Sequence, residues 1–229
     1  MEATADAIEV YLEAGSKRVF AGAVQWPGWC RSGREEDAAL EALVAYGSRY
    51  AAALGRRKLG FAPPSDPSRL RVVERLDGDV TTDFGAPSKA PAADERPLDG
   101  PELERQRAIL RACWAAFDRS AAAAIGKKLR KGPRGGGREL DAIVRHVLDA
   151  DAGYLRRLGR IHRSTEGEDT AAEMASVRRE MLAGISSLAR GEPVPHPRRS
   201  GTLWSPRYAV RRVAWHALDH AWEIDDRSG

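Results

Sequence analysis

Two histidines close to the end of the chain, His216 and His220 in W-H-A-L-D-H-A-W-E-I-D-D (215 to 226), carry the clearest chemical signal. On a helix, residues four apart share a face, with Cβ atoms about 5–6 Å apart. Two imidazoles so placed converge on one cation, with Zn–N distances of roughly 2.0–2.1 Å. The bland alternative is a pair of half-buried histidines bonded to neighbours, which is the commoner meaning of a bare H-x-x-x-H match. His146 shifts that balance, because it shares a helical stripe with Val147, Ala150 and Tyr154 and is expected to face the same interior. Three inward histidines on two helices make a divalent-metal site with positions left open for water or substrate, a catalytic rather than a structural pattern. Of the five histidines, the other two, His162 at a helix end and His196 in a proline-rich turn, read as surface residues.

Fewer arguments attach to the neighbouring polar groups. Glu223, three residues after His220, fits a carboxylate ligand or a general base, against the plainer reading of a solvated charge near a helix end. Tyr154, two turns beyond His146, places a phenol where it can donate to a bound anion, against the plainer reading of a core-edge tyrosine. Asp149 and Asp219 are candidates to orient a histidine. Trp114, Trp215 and Trp222 read as core that can also wall an apolar cavity. Cys30 and Cys113 sit far apart in no C-x-x-C pattern, which argues against a disulfide framework or a thiolate site. The run Lys127 to Arg138, basic and rich in glycine, reads as a solvated loop.

The elements that must position these residues fall into two halves. I-E-V-Y-L and R-V-F-A-G-A-V-Q-W alternate with strand period around the turn Ala14-Gly15-Ser16, a β-hairpin. W-P-G-W-C-R-S-G (26 to 33) reads as loop. One helix is expected from the acidic Glu35-Glu36-Asp37 to Gly55, and a strand over 70 to 76. Residues 86 to 97, with Pro87, Pro91 and Pro97 and almost no large apolar side chains, read as a linker between a 1–85 module and a 98–229 unit. Beyond it the period becomes purely helical: four amphipathic helices start near Pro101, near Arg138, at about Thr170 and at Ser205-Pro206. The fold class expected is therefore α+β, a hairpin–helix–strand module followed by an antiparallel four-helix bundle.

Composition sets outer bounds. The 229 residues are 42% hydrophobic and 31% charged, enough apolar content for a packed core. A net charge of +4 arises from 37 basic against 33 acidic residues spread along the chain, which does not point to nucleic acid. No run approaches a membrane span and M-E-A-T-A-D lacks a secretion signal, so the expected location is cytoplasmic.

R-H-V-L-D-A-D-A-G-Y-L and R-R-V-A-W-H-A-L-D-H-A-W-E make residues 98 to 227 resemble the DinB-like superfamily of four-helix bundle proteins. Its members place one metal-binding histidine in the second helix and an H-x-x-x-H pair in the fourth. The resemblance thus implies His146, His216 and His220 as ligands of a divalent metal, zinc or nickel. It also implies transfer of a low-molecular-weight thiol, such as mycothiol or bacillithiol, to a small-molecule substrate. A metal-dependent hydrolase using Glu223 as base, and a non-enzymatic binding or regulatory protein with a structural metal, are the alternatives. The N-terminal hairpin, glycine-containing loop and helix E-E-D-A-A-L-E-A-L resemble the HicB-like antitoxin module in strand–strand–helix order. No DNA-binding segment follows, so the module is expected to support a homodimer or to cover one end of the bundle.

Overall fold

A computed structural model of the chain describes residues 7–55, 58–131, 137–164, 167, 169–195 and 203–228. They divide into two compact units, Met1–Arg96 and Pro97–Gly229. The class is α+β, with four strands and seven α-helices among the described residues.

In the first unit, β1 (Ile8–Ala14) and β2 (Val19–Ala23) form the antiparallel hairpin. The segment 26–33 is not all loop: Cys30–Gly33 is a third strand, β3, antiparallel to β2. Four residues ending in Arg-Ser-Gly carry too little alternation to announce a strand, and its pairing to β2 decides the matter. Trp29 leads into β3 fully buried, its indole donating to Leu43 O at 2.9 Å, while Tyr50 donates to Pro27 O at 2.9 Å. The single helix expected over 35–54 is two, α1 (Glu36–Ala45) and α2 (Gly47–Leu54). The break falls at Tyr46, whose ring lies 3.9 Å from the Arg31 guanidinium carbon. Gly47 follows because a Cβ there would meet Pro63 at 3.1 Å. β4 (Leu70–Asp77) then pairs in parallel with β1, giving the sheet order β3-β2-β1-β4, and α3 (Val80–Phe84) follows. Three strands therefore precede the helices, rather than the two of the HicB-like reading.

The proline-rich segment 86–97 is no free tether. Glu13, at 0% exposure on β1, must find donors for its buried carboxylate. Ser88 N and Lys89 N donate to it at 2.9 and 3.0 Å, and the Thr82 hydroxyl adds a third bond. Ala92 N donates to Glu74 at 2.9 Å, and Ala92–Glu95 closes a 3₁₀ turn. A lack of large apolar residues had suggested a linker; backbone N–H groups on a buried carboxylate hold it instead.

The second unit has four long helices: α4 (Gly100–Ala123), α5 (Leu140–Leu155), α6 (Thr170–Ala189) and α7 (Pro206–Ser228). Asp99 and Asp169 cap α4 and α6 by accepting from Glu102 N and Ala172 N, both at 2.8 Å. Ser205 accepts from Tyr208 N at 3.2 Å, with Pro206 opening α7. Ile109, Leu110, Phe117, Ile143, Val147, Val177, Met181, Val213 and Leu218 make the interior. α7 packs on α4, α5 and α6, and is buried on nearly every side. Ion pairs tie neighbours together, Arg145 to Glu173 and Arg178 to Asp118, with Arg207 on Glu102. Among the described residues no helix is long and apolar enough to cross a membrane.

Replacing Glu13 by Ala leaves several buried donors without an acceptor, and is expected to destabilise the first unit by about 2–4 kcal/mol. Chemical denaturation should register that loss, and limited proteolysis should cut within 85–96 sooner than in the parent chain. Unchanged stability and unchanged cleavage would show that the segment is held some other way.

Candidate metal centre

α5 and α7 present the three histidines to one another. Val147, Leu148 and Leu155 fix α5 from its buried side, which leaves His146 half-buried toward α7. On α7, His216 and His220 are 6% and 9% exposed, one turn apart. The three rings lie 4.7 to 5.2 Å apart by centroid. One nitrogen from each falls within 4.8 Å of the other two, and among the described residues no thiolate or carboxylate joins the set.

Electrostatics keeps these rings available as lone-pair donors. Burial pushes the His216 pKa well below the ordinary value, with His220 and Arg212 adding to the effect. Burial also lowers His146, helped by His220 and Arg138. Neither carries a proton charge at neutral pH. His146 Nε2 and His216 Nε2 stand 3.4 Å apart, and His216 Nδ1 is buried with no hydrogen-bond partner. Two ligands of one tetrahedral cation at 2.0–2.1 Å are themselves roughly 3.3–3.4 Å apart. The donor set and its spacing therefore fit a divalent cation, with the third nitrogen set somewhat wider.

Glu223 does not face the cluster as a free carboxylate. Its Oε2 accepts from His220 Nδ1 at 2.8 Å and its Oε1 from Arg227 Nη1 at 2.7 Å. The bond to His220, with Arg227 behind it, holds the carboxyl below its usual range. A carboxylate on Nδ1 fixes the tautomer and turns the Nε2 lone pair inward. Arg227 is itself anchored: its Nε donates to Arg130 O at 2.8 Å, and Arg130 N donates back to Arg227 O at 2.8 Å. Gly137 makes room for this guanidinium, since a Cβ there would lie 2.5 Å from Nη2. The first part of the basic run is an exposed loop, as its composition suggests, but it is tied to the end of α7 through Arg130 and through the buried Leu129; residues 132–136 lie outside the described ones.

Tyr154 stands at the rim, its ring 5.9 Å from His216 and 5.1 Å from Trp204. Burial raises its pKa, so the phenol stays protonated and able to donate. The Arg212 guanidinium lies 5.8 Å from the Tyr154 ring and 4.7 Å from Trp215. Trp114, Trp215 and Trp222 are all packed in the interior. Asp149 is exposed, and its charge opposes the depression of His146. Cys30 and Cys113 are both buried free thiols, and burial drives Cys113 far above the ordinary thiol range. His162 is not a surface residue: its side chain is 8% exposed, with Nε2 3.6 Å from Glu173. His196 lies outside the described residues.

Sequence reasoning passed over Asp151, one turn past Val147. Both its oxygens are buried without a protein hydrogen bond, and burial pushes its pKa up to about 7 against the opposing charge of Arg178. The Trp114 indole is near enough to ease ionisation but closes no hydrogen bond of normal geometry. Its D-A-D context gives no sign of burial, which only the packing of α5 reveals.

A folded pKa near 7 against an unfolded value near 3.8 favours the protonated native state. That stabilisation is complete below pH 3.8 and is lost as pH rises through 7. Asp151→Asn should therefore gain stability relative to the parent across that window, by at most about 1.4 kcal/mol per pH unit. Denaturation midpoints of the two proteins at pH 4.5, 6 and 8 check this; a constant difference would contradict it.

A family model described as the DinB superfamily matches residues 102–224, more than half of the chain and the span that holds all three histidines. The match does not extend to the first unit, so the HicB-like likeness gains no support from it. Neither the curated proteins nor the solved structures returned a match.

Proposed function

The chain belongs to the DinB superfamily, and from that membership we propose a metal-dependent enzyme that transfers a low-molecular-weight thiol to a small electrophile. Residues His146, His216 and His220 would hold the metal, in an antiparallel bundle made by α4 to α7. The observation that carries this reading is the ligand set of three imidazoles with no carboxylate or thiolate among the described residues, which leaves coordination positions for reactants. All-nitrogen donors suit zinc or nickel among available divalent ions. When bound, the cation supplies the positive charge that lets a thiol lose its proton near neutral pH.

The protein's own groups then divide the remaining work. Glu223 and Arg227 hold His220 in one tautomer and orientation, so Glu223 is a positioning residue. Arg138 and Arg212, whose charges act on His146 and His216, favour an anionic thiol cosubstrate at the rim. Tyr154 can donate its phenol proton in a hydrogen bond to the electrophile's oxygen. The sulfur forms a C–S bond while the electrophile's leaving group departs with the electron pair, and the thiol proton passes to solvent. Both Glu223 oxygens are engaged, which speaks against its use as the base of a hydrolase.

Metal-loaded full chain should consume free thiol in the presence of a model electrophile such as a chlorinated nitroarene. His220→Ala should abolish the rate and most of the metal content. Glu223→Gln should weaken metal affinity about 10–100-fold while leaving the fold intact. Equal rates for parent and His220→Ala across a panel of thiols would overturn thiol transfer.

A further inference from the structure

The histidine centre is built by α5 and α7; a different face, between α4 and α6, carries a groove of about 450 Å³. Its walls hold four guanidinium groups, Arg107 and Arg111 one turn apart on α4, and Arg179 and Arg190 from α6 and its end. Leu182 and Ala183 supply apolar surface between them, and no acidic side chain lines it among the described residues. Four like charges facing one groove repel each other, and an anion bound in the groove relieves that repulsion.

The arginines are also available. Among the described residues, neither Arg111 nor Arg179 has a hydrogen-bond or ion-pair partner. Arg107 pairs with Glu104 and Arg190 with Glu192, both exposed carboxylates close by in sequence, the kind of surface pair that a ligand displaces easily.

We propose that this groove binds an organic phosphate. A carboxylate is satisfied by one guanidinium fork, whereas a phosphate dianion offers enough oxygens for guanidiniums arriving from both walls. The volume lies within the range of small-molecule sites and is far more than bare phosphate fills, so the phosphate carries an organic body. That body rests on Leu182, Ala183 and the aliphatic stems of the arginines. The site stands apart from the histidine centre, and does not depend on the reaction assigned there.

Calorimetric titration of the full chain with adenosine monophosphate, glucose 6-phosphate, adenosine, glucose and inorganic phosphate tests this. At least one phosphate ester should bind, at least about tenfold tighter than inorganic phosphate, and its parent alcohol should not. Its affinity should fall with added salt. The double variant Arg111→Ala, Arg179→Ala should weaken it about tenfold or more, with unaltered circular dichroism and unaltered metal content. Binding of neither ester, equal binding of ester and alcohol, or undiminished affinity in the double variant would each overturn the proposal.

Discussion

Imidazole nitrogens turned toward one another on facing helices are the constraint on which the helical unit's site depends. His146 Nε2 and His216 Nε2 stand 3.4 Å apart, and His216 has its other nitrogen buried without a partner. Burial keeps both rings neutral, so each has a single N–H, and without a cation one Nε2–H donating to the other ring is what joins them. A divalent cation would replace that contact by coordinate bonds from the three imidazoles. Most other features of the helical unit follow from having to hold those rings in place.

α7 is buried on nearly every side by its packing on α4, α5 and α6, and it carries two of the three histidines one turn apart against α5. The third element of control comes from outside the helices. Arg130, in the irregular stretch after α4, exchanges hydrogen bonds with Arg227, which grips Glu223, which fixes His220. Four residues in series thus transmit the position of a loop to the orientation of an imidazole. Asp151 marks the opposite tendency, a carboxyl that stays protonated near neutrality because nothing close by satisfies its charge.

What the sequence made legible was governed by local period. H-x-x-x-H reports its own geometry, since a helix places residues four apart on one face, and His146 could be added from the stripe it shares with Val147. The starts of α4 near Pro101, of α6 at Thr170 and of α7 at Ser205-Pro206 carry local signals of the same kind. Features set by distant partners were not legible. β3 exists because β2 pairs with it, the helix breaks where Arg31 lies over Tyr46 and Gly47 passes close to Pro63, and 86–97 docks because Glu13 is buried. The roles of Glu223 and Arg130 likewise depend on Arg227, four residues from one and 97 from the other.

The central claim is that one cation sits on three imidazoles and on no fourth protein ligand. X-ray absorption at the metal K-edge of the zinc-loaded full chain reads this directly. The account predicts three imidazole nitrogens at roughly 2.0–2.1 Å, with the remaining scattering from a light exchangeable ligand. Addition of a small thiol should replace that light atom by one sulfur near 2.3 Å. A fourth protein donor insensitive to added thiol, or fewer than three imidazoles in the first shell, would contradict it.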